Sequence, residues 1–442
     1  MRDLPSTRLN GGTLELEEQR AAEQRYRESG NVYDLLMARG FLKQSTHAEA
    51  VREQLGQPGL CFYTGFDPTA DSMHVGHFLT LVAMRHLQDA GHRPIALMGG
   101  GTGYIGDPSG RQDLRRVLSS ETIEANVEGL RRQLSLILDL SSPEKALVVN
   151  NADWILPLNY VEFLREVGAQ FSVNRMLTAE CYKQRMEKGL TFLEFNYMLL
   201  QAYDFLELYR RHNCRLELGG DDQWSNILAG VDLVRRKEQA EVEGLTVRLL
   251  TNSQGQKMGK TAQGAVWLDP NKLSPFDFYQ YFRNVDDPDV IRMLKLLTFV
   301  PLEEIHEMEQ WKDQQLNQAK ARLAFECCSM VHGEEEARRA QRQAESLFGR
   351  GRSADMAQTS IQRSALGQQQ ILQSMLDAGM IPSKGEGRRL MQQGGVALGD
   401  ELLKDPLRCW EEGDFQVGDE QGAPECILRR GKKIFHKFVL VD

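Results

Sequence analysis

Four short strings in this 442-residue chain carry residues whose types and spacing suit chemistry on a charged substrate. The first is His74-Val-Gly76-His77, reached through Tyr63, Gly65, Asp67 and Thr69 along a run that reads as a strand passing into a helix. A helix N-terminus gathers unpaired backbone N–H groups and partial positive charge, so it attracts anions. Two imidazoles bracketing a glycine there can donate to a polyphosphate, and the glycine lets a nucleotide approach the backbone closely. The alternative is a pair of helix-capping histidines with no ligand; the strand, Gly65 and Asp67 ahead of the pair favour the phosphate reading. The second string, Lys257-Met-Gly-Lys260-Thr261, falls in a polar loop with glycines. Two lysines three apart on a loop can reach phosphate oxygens and release them after reaction, although taken alone such a string usually means a solvated lysine pair.

In the third string Tyr197, Gln201 and Asp204 stand at i, i+4 and i+7, so one helical face carries all three and they can share a pocket; the alternative is an ordinary amphipathic face. The fourth, Gly219-Gly220-Asp221-Asp222-Gln223-Trp224, reads as a strand-to-helix turn at the carboxyl edge of a sheet, where open sheets bind ligands, with Asp221 also readable as a helix cap. One decoy competes. Gly101-Thr-Gly103-Tyr-Ile-Gly106 satisfies the dinucleotide fingerprint, but Asp107-Pro108-Ser109-Gly110 follows at once and imposes a loop where the fingerprint needs a helix. The loop is instead expected to place Thr102 and Asp107 at the substrate.

The elements that must hold these strings alternate. Strand-like runs at 60–66, 94–98, 146–149, 216–218 and 246–250 are separated by longer helical patterns, which predicts an α/β fold with a doubly wound, parallel, Rossmann-like sheet. Val75, Phe78, Leu79, Val82, His86 and Leu87 give the helix after the first strand one apolar face. From about Pro275 to Phe348 the pattern turns wholly helical; residues 349–353 read as a hinge, and the last 80 or so residues as a small α+β unit. Residues 1–30 read as a charged extension. Composition is that of an ordinary globular chain, 41% hydrophobic and 26% charged, with no apolar run long enough to span a membrane and no signal-peptide pattern, so the cytoplasm is expected. The seven cysteines show no metal-ligand spacing, and neither zinc nor any other protein-bound metal is expected. With a net charge of −9, any nucleic acid must be held by local basic patches.

H-V-G-H and K-M-G-K-T together form the signature of class I aminoacyl-tRNA synthetases. The strings YTGFDPTADSMHVGH, GGGTGYIGDPSGR (99–111), NYMLLQAYDFL (196–206) and LGGDDQWSNI (218–227) further resemble the bacterial-type tyrosyl-tRNA synthetase family, over residues 31 to about 300. The resemblance implies that L-tyrosine is activated by ATP, with magnesium, and passed to the 3′-terminal ribose of tRNA(Tyr). By the same resemblance His74, His77, Lys257, Lys260 and Thr261 serve catalysis at the phosphates. Tyr197, Gln201 and Asp107 hold the substrate ammonium, with Thr102 nearby. Asp204 and Tyr63 meet the phenol, and Gln223 approaches the amino-acid carboxyl. Gly65, Asp67, Thr69, Gly76, Gly220, Asp222 and Lys260 line the ATP side. Asp221 departs from the family, which often has serine there. The implied domains are 31–262, catalytic with a dimerisation insertion; 263–352, helical and on the anticodon side; and 353–442, linker and RNA-binding. A homodimer is implied too, its interface near an insertion between about Gln112 and Glu187. Two rivals remain: a tryptophan enzyme of the same class, opposed by Asp204 and Tyr63, and an RNA-binding protein that has lost catalysis, opposed by the intact motifs.

The C-terminal string PSKGEGRRLMQQGGV (382–396) resembles the RNA-binding module named after the fourth protein of the small ribosomal subunit. Lys384, Arg388 and Arg389 fall on one short predicted helix. Arg429, Arg430, Lys432, Lys433 and Lys437 form a second basic cluster, interleaved with Phe435 and His436 as phosphate contact and base stacking require. Acidic side chains slightly outnumber basic ones across the unit, so a small solvated domain is the alternative.

Overall fold

The main sheet is built from β1 (Thr7–Arg8), β2 (Leu42–Ser45), β3 (Cys61–Phe66), β4 (Arg93–Met98), β5 (Leu147–Asn150), β6 (Leu216–Gly220) and β7 (Glu243–Val247), in the order β1-β2-β7-β6-β3-β4-β5. The computed structural model describes residues 7–8, 13–109, 118–187, 189–261, 264–348, 358–399, 401–415, 423–431 and 434–442; the side chains of 7–8, 13–15, 184, 260–261, 314 and 346–348 lie outside the description. The five strands from β7 to β5 are parallel, as expected of the doubly wound class. The edge departs from the expectation: β2 runs antiparallel to β7, and β1 antiparallel to β2. The chain leaves β3 toward β4 and β5 on one side and returns to β6 and β7 on the other. That reversal leaves a crevice at the carboxyl ends of β3 and β6.

Four of the five expected strands fall within two residues of their expected bounds, whereas β7 begins at Glu243 and ends at Val247, three residues earlier than the expected 246–250. Glu243 is a carboxylate buried in a strand, held there by the Thr46 hydroxyl and by His47 Nδ1 at 3.0 Å. A charged residue inside the sheet hides the start of the strand from an apolar pattern. The helix Val75–Asp89 between β3 and β4 buries the face predicted for it. Tyr197–His212 and Trp224–Glu238, flanking β6, pack on each other.

The helix Ser120–Leu134 clamps the loop between β3 and the helix that follows. Asn126 Nδ2 donates to the Pro68 carbonyl at 2.9 Å, and Gln133 Oε1 accepts from the Met73 N–H at 2.7 Å. Gly129 permits the approach, since a Cβ there would lie 2.2 Å from the Asp71 carbonyl oxygen. Backbone cannot yield as a side-chain tip can, so Gly129→Ala is expected to lower stability by about 2 kcal/mol, read as a lower midpoint in chemical denaturation.

Part of the expected N-terminal extension is the helix Thr13–Ser29, packed on Val32–Arg39; the buried Asp34 carboxylate takes Arg25 Nε at 2.8 Å and Arg52 Nε at 2.9 Å. Beyond the sheet, a two-stranded hairpin pairs β8 (Lys260–Thr261) with β9 (Gly264–Ala265). Helices Pro275–Arg283, Val290–Leu297, Leu302–Met308, Asp313–His332 and Glu334–Phe348 follow. Val290–Leu297 packs on Val75–Asp89. Arg39 binds the region further, donating to the carbonyls of Lys295 and Thr298, each at 3.0 Å, and of Val300 at 2.7 Å.

The chain divides after Gln341 into two compact units. The second holds a sheet of β10 (Gln358–Gln362), β11 (Val396–Leu398), β12 (Glu401–Leu402), β13 (Glu425–Arg430) and β14 (Ile434–Val441), ordered β10-β14-β13-β11-β12, around the buried Trp410. Its second helix, Lys384–Gln392, begins where Ser383 caps it, accepting from the Glu386 N–H. Gly387 lets that helix press onto its neighbour, as a Cβ there would meet Leu372 Cδ1 at 2.4 Å. The expected hinge at 349–353 lies outside the described residues.

Candidate active site

A cavity of about 500 Å³ opens at the carboxyl ends of β3 and β6, at the strand-order reversal. Its wall includes Tyr63, Gly65, Asp67, Thr69, His74, Gly76, His77, Thr102, Asp107, Tyr197, Gln201, Asp204, Gly220, Asp222, Gln223 and Lys257, drawn from strings nearly 200 residues apart. Lys260 and Thr261 lie just beyond in β8, with side chains outside those described.

At one end stands the N-terminus of Val75–Asp89. His74 caps it: its Nδ1 accepts the Gly76 N–H at 3.0 Å, while the Nδ1 of His77 accepts the His74 N–H at 3.2 Å. An imidazole accepting at Nδ1 carries its proton at Nε2, so the backbone fixes both tautomers and makes each Nε2 a donor. Burial lowers the pKa of His77 to about 3, helped by His74 and Lys257 nearby, so it works as an uncharged donor. Gly76 makes room for the capping imidazole, since a Cβ there would lie 2.7 Å from the His74 ring.

Backbone pairing brings the lysine loop here. Val75 N–H donates to the Val266 carbonyl, and Leu268 N–H to that of Met73, both at 2.9 Å, so the segment after the hairpin runs beside the histidine turn. Gly259, at φ +100°, packs where a Cβ would come within 3.3 Å of the Gly76 nitrogen. The exposed Lys257 stands 3.6 Å from Asp222, whose carboxyl is raised by burial and lowered in part by that lysine.

The other end is a chain of buried hydrogen bonds. Asp204 Oδ1 accepts from Trp154 Nε1 at 2.7 Å and Oδ2 from Asn151 Nδ2 at 2.9 Å. Burial pushes its pKa well above the carboxylate range, against those two donors. Asn151 also donates to Thr102 Oγ1 at 3.0 Å, which donates to Asp67 Oδ1 at 2.8 Å, while the Tyr197 hydroxyl reaches Asp67 Oδ2 at 3.0 Å. A separate cluster joins Asp107 to Gln223 at 2.7 Å, with Ser109 and Asn226 behind. The Tyr63 hydroxyl is fully buried and has no hydrogen bond of normal geometry.

Asn151, Trp154, Ser109, Asn226 and Glu217 are members of this site that sequence reasoning passed over. Asn151 and Trp154 follow the carboxyl end of β5, a place where ligand-facing residues collect, and that position was their signal. Glu217 gave a different one, a lone charge inside an otherwise apolar strand.

In the second unit Lys384, Arg388 and Arg389 are exposed on one helix. Arg429 and Arg430 lie half-buried on β13, where Arg430 donates to the Met380 carbonyl and pairs with Glu386 at 3.8 Å; Lys432 and Lys433 lie outside the described residues. Lys437 pairs with Glu425 at 3.1 Å. The expectation that His436 stacks on a base is corrected. Alternation along β14 turns His436, Phe438 and Leu440 into the core, where His436 Nε2 meets the Thr359 hydroxyl at 2.8 Å.

Among the described residues no helix is long and apolar enough to cross a membrane, and no group of three His, Cys, Asp or Glu is placed to hold a metal ion.

Residues 57–349 match the family model for class I tRNA synthetases (W and Y). A tyrosine–tRNA ligase of Clostridium perfringens (strain 13 / Type A) is 54% identical over 411 residues, covering 93% of this chain and 99% of that protein. One from Acetivibrio thermocellus is also 54% identical, over 413 residues, 93% of this chain and 100% of that protein. A C-terminally truncated mitochondrial tyrosyl-tRNA synthetase of Aspergillus nidulans superposes with a TM-score of 0.65 at 30% identity, covering 76% of this chain and 99% of that one.

Proposed function

Because the chain belongs to the class I tRNA synthetases of the tryptophan and tyrosine group and is a tyrosine–tRNA ligase, we propose that both of its half-reactions run in the cavity described above. The observation that carries the assignment of residues is the cavity's polarity. Imidazole and lysine donors line one end, and a buried carboxylate with a buried phenol lines the other.

Tyrosine enters with its hydroxyl toward Asp204 and Tyr63 and its ammonium toward Tyr197, Gln201 and Asp107. Its carboxylate, near Gln223, attacks the α-phosphate of ATP, whose ribose meets Gly220 and Asp222, while Gly65, Asp67, Thr69 and Gly76 line the rest of the ATP side. The Nε2–H groups of His74 and His77, with Lys257 and Lys260, donate to the pyrophosphate as it takes up charge, and Thr261 belongs to the same loop. Donors fixed before the reaction need no reorganisation as charge builds. Magnesium enters as part of the ATP substrate, on its phosphate oxygens. The terminal ribose hydroxyl of tRNA(Tyr) then takes the tyrosyl group from the adenylate. Lys384, Arg388, Arg389 and Arg429 are the cations of the second unit offered to that RNA, and Arg430, Lys432 and Lys433 belong to the same reading. The same reading places the reaction in the cytoplasm. The test is ATP–pyrophosphate exchange against each of the twenty amino acids. Exchange with tyrosine alone supports the reading; exchange with tryptophan, or with none, overturns it.

A homodimer is part of the same reading. Leu156, Tyr160, Val161, Leu164, Val173, Met186, Phe192 and Leu193 are all exposed, with Val161 at 71% and Phe192 at 68%. So many large apolar side chains between residues 156 and 193 suit an interface with a second copy. Phe192→Asp combined with Val161→Asp is expected to halve the mass found by sedimentation; an unchanged dimer would place the interface elsewhere.

A further inference from the structure

Glu217 is a carboxylate in the middle of β6, only 3% exposed, and it lines the cavity between Tyr63 and Gln201. Its Oε1 accepts from Gln201 Nε2 at 2.9 Å. The Tyr63 hydroxyl leans on the same carboxylate, and one buried polar atom beside that bond is left without a partner, Gln201 Oε1. Buried polar groups are normally paired, so an unpartnered amide oxygen on the wall of the cavity marks a place prepared for a ligand.

We propose that Glu217 is a positioning residue for tyrosine binding, whose carboxylate fixes the Gln201 amide so that Oε1 rather than Nε2 is left for the substrate ammonium. An ionised carboxylate can only accept hydrogen bonds, so Gln201 must turn its NH₂ toward Glu217. Rotating the amide by half a turn would set oxygen against oxygen there and present donors to a cationic ligand. The proposal rests on the assignment of Gln201 to the ammonium and adds what holds that residue in register.

The groups facing Glu217 are Tyr63 from β3, Gln201 and Asp204 from Tyr197–His212, and Cys214 from the turn before β6. Burial raises the Glu217 carboxyl to about 7, against the donation from Gln201 and the neighbouring Tyr63. A protonated Glu217 can itself donate to the Gln201 oxygen and release the amide to flip. The register is therefore complete above about pH 7 and lost as pH falls through it, and a bound ammonium further favours the ionised form.

The experiment is tyrosine-dependent pyrophosphate exchange from about pH 5.5 to about pH 8.5 with wild type, Glu217→Gln and Glu217→Leu. Wild-type KM for tyrosine is expected to fall roughly tenfold across that range. Glu217→Gln keeps an acceptor but does not titrate, so its KM should be flat. Glu217→Leu, with no acceptor, should raise KM at about pH 8 by about tenfold with kcat within about threefold of wild type. A slope retained in Glu217→Gln, or a wild-type KM in Glu217→Leu, would overturn the proposal; should the leucine variant not fold, the glutamine profile decides. Gln201→Ala with an unchanged KM would instead overturn the ammonium assignment, and absence of tyrosine-dependent exchange in wild type would overturn the functional reading.

Discussion

Asp204→Asn is expected to lower kcat/KM for tyrosine by about 10- to 10²-fold while changing the value for phenylalanine little. Both oxygens of Asp204 already accept, one from Trp154 and one from Asn151. Each still has a lone pair for the phenol O–H of the substrate, so the native carboxylate serves three donors. An asparagine has one oxygen and one NH₂, and in either orientation its NH₂ confronts Trp154 or Asn151. One buried donor is left without an acceptor, and the phenol loses an acceptor whose ionised form burial opposes and the phenol's own bond helps to hold. The lost bond to a charged group costs roughly 1.5 to 3 kcal/mol, which is the loss named above, while the orphaned donor is present in the free enzyme too and shows as lower stability. Phenylalanine makes no such bond, and the rejection of an analogue that lacks the hydroxyl is a discrimination for which tyrosine enzymes are the known example. The measurement is pyrophosphate exchange with each amino acid in turn. Equal losses for both would mean that Asp204 serves the architecture of the pocket and not the choice of substrate.

That network also shows where sequence reasoning stops. Tyr197, Gln201 and Asp204 share a helical face by spacing alone, and the structure places all three at the cavity. The donors that set the state of Asp204 come from the exit of β5, some fifty residues away, and no local pattern connects them. Topology does, because β4 and β5 stand beside β3 and deliver their carboxyl ends to the same edge. The lysine loop is a similar case. Its lysines are legible by type, whereas the backbone bonds to the Val266 carbonyl and from the Leu268 N–H that seat it against the histidine turn involve no distinctive side chain. β2 escaped notice because antiparallel pairing on a sheet edge needs only four residues. His436 is the opposite failure. The alternation of β14 was readable, and period two puts it on the same face as Phe438 and Leu440, yet proximity to lysines suggested an exposed role.

His74→Ala is expected to slow tyrosine-dependent exchange by about 10²- to 10³-fold in kcat, with KM for tyrosine and for ATP within about threefold of wild type. The reason lies in what His74 does twice. Its Nδ1 caps Val75–Asp89 by accepting the Gly76 N–H, and that bond leaves the Nε2–H as the donor for the phosphate end of the cavity. Charge develops on the departing pyrophosphate only along the reaction, so a donor placed for it contributes to the barrier far more than to substrate binding. Loss of the cap alone would cost about 1 kcal/mol of stability and could be mistaken for the catalytic effect. His74→Asn separates the two. Asparagine is a good N-cap and can keep the Gly76 bond, but it is too short to reach where Nε2 stands. The alanine variant should therefore be both slower and less stable, and the asparagine variant as slow as alanine but near wild type in thermal midpoint. If asparagine instead restored the rate together with the stability, His74 would be a cap that holds the helix, and the charge of the leaving group would have to be met by His77 and the lysine loop without it.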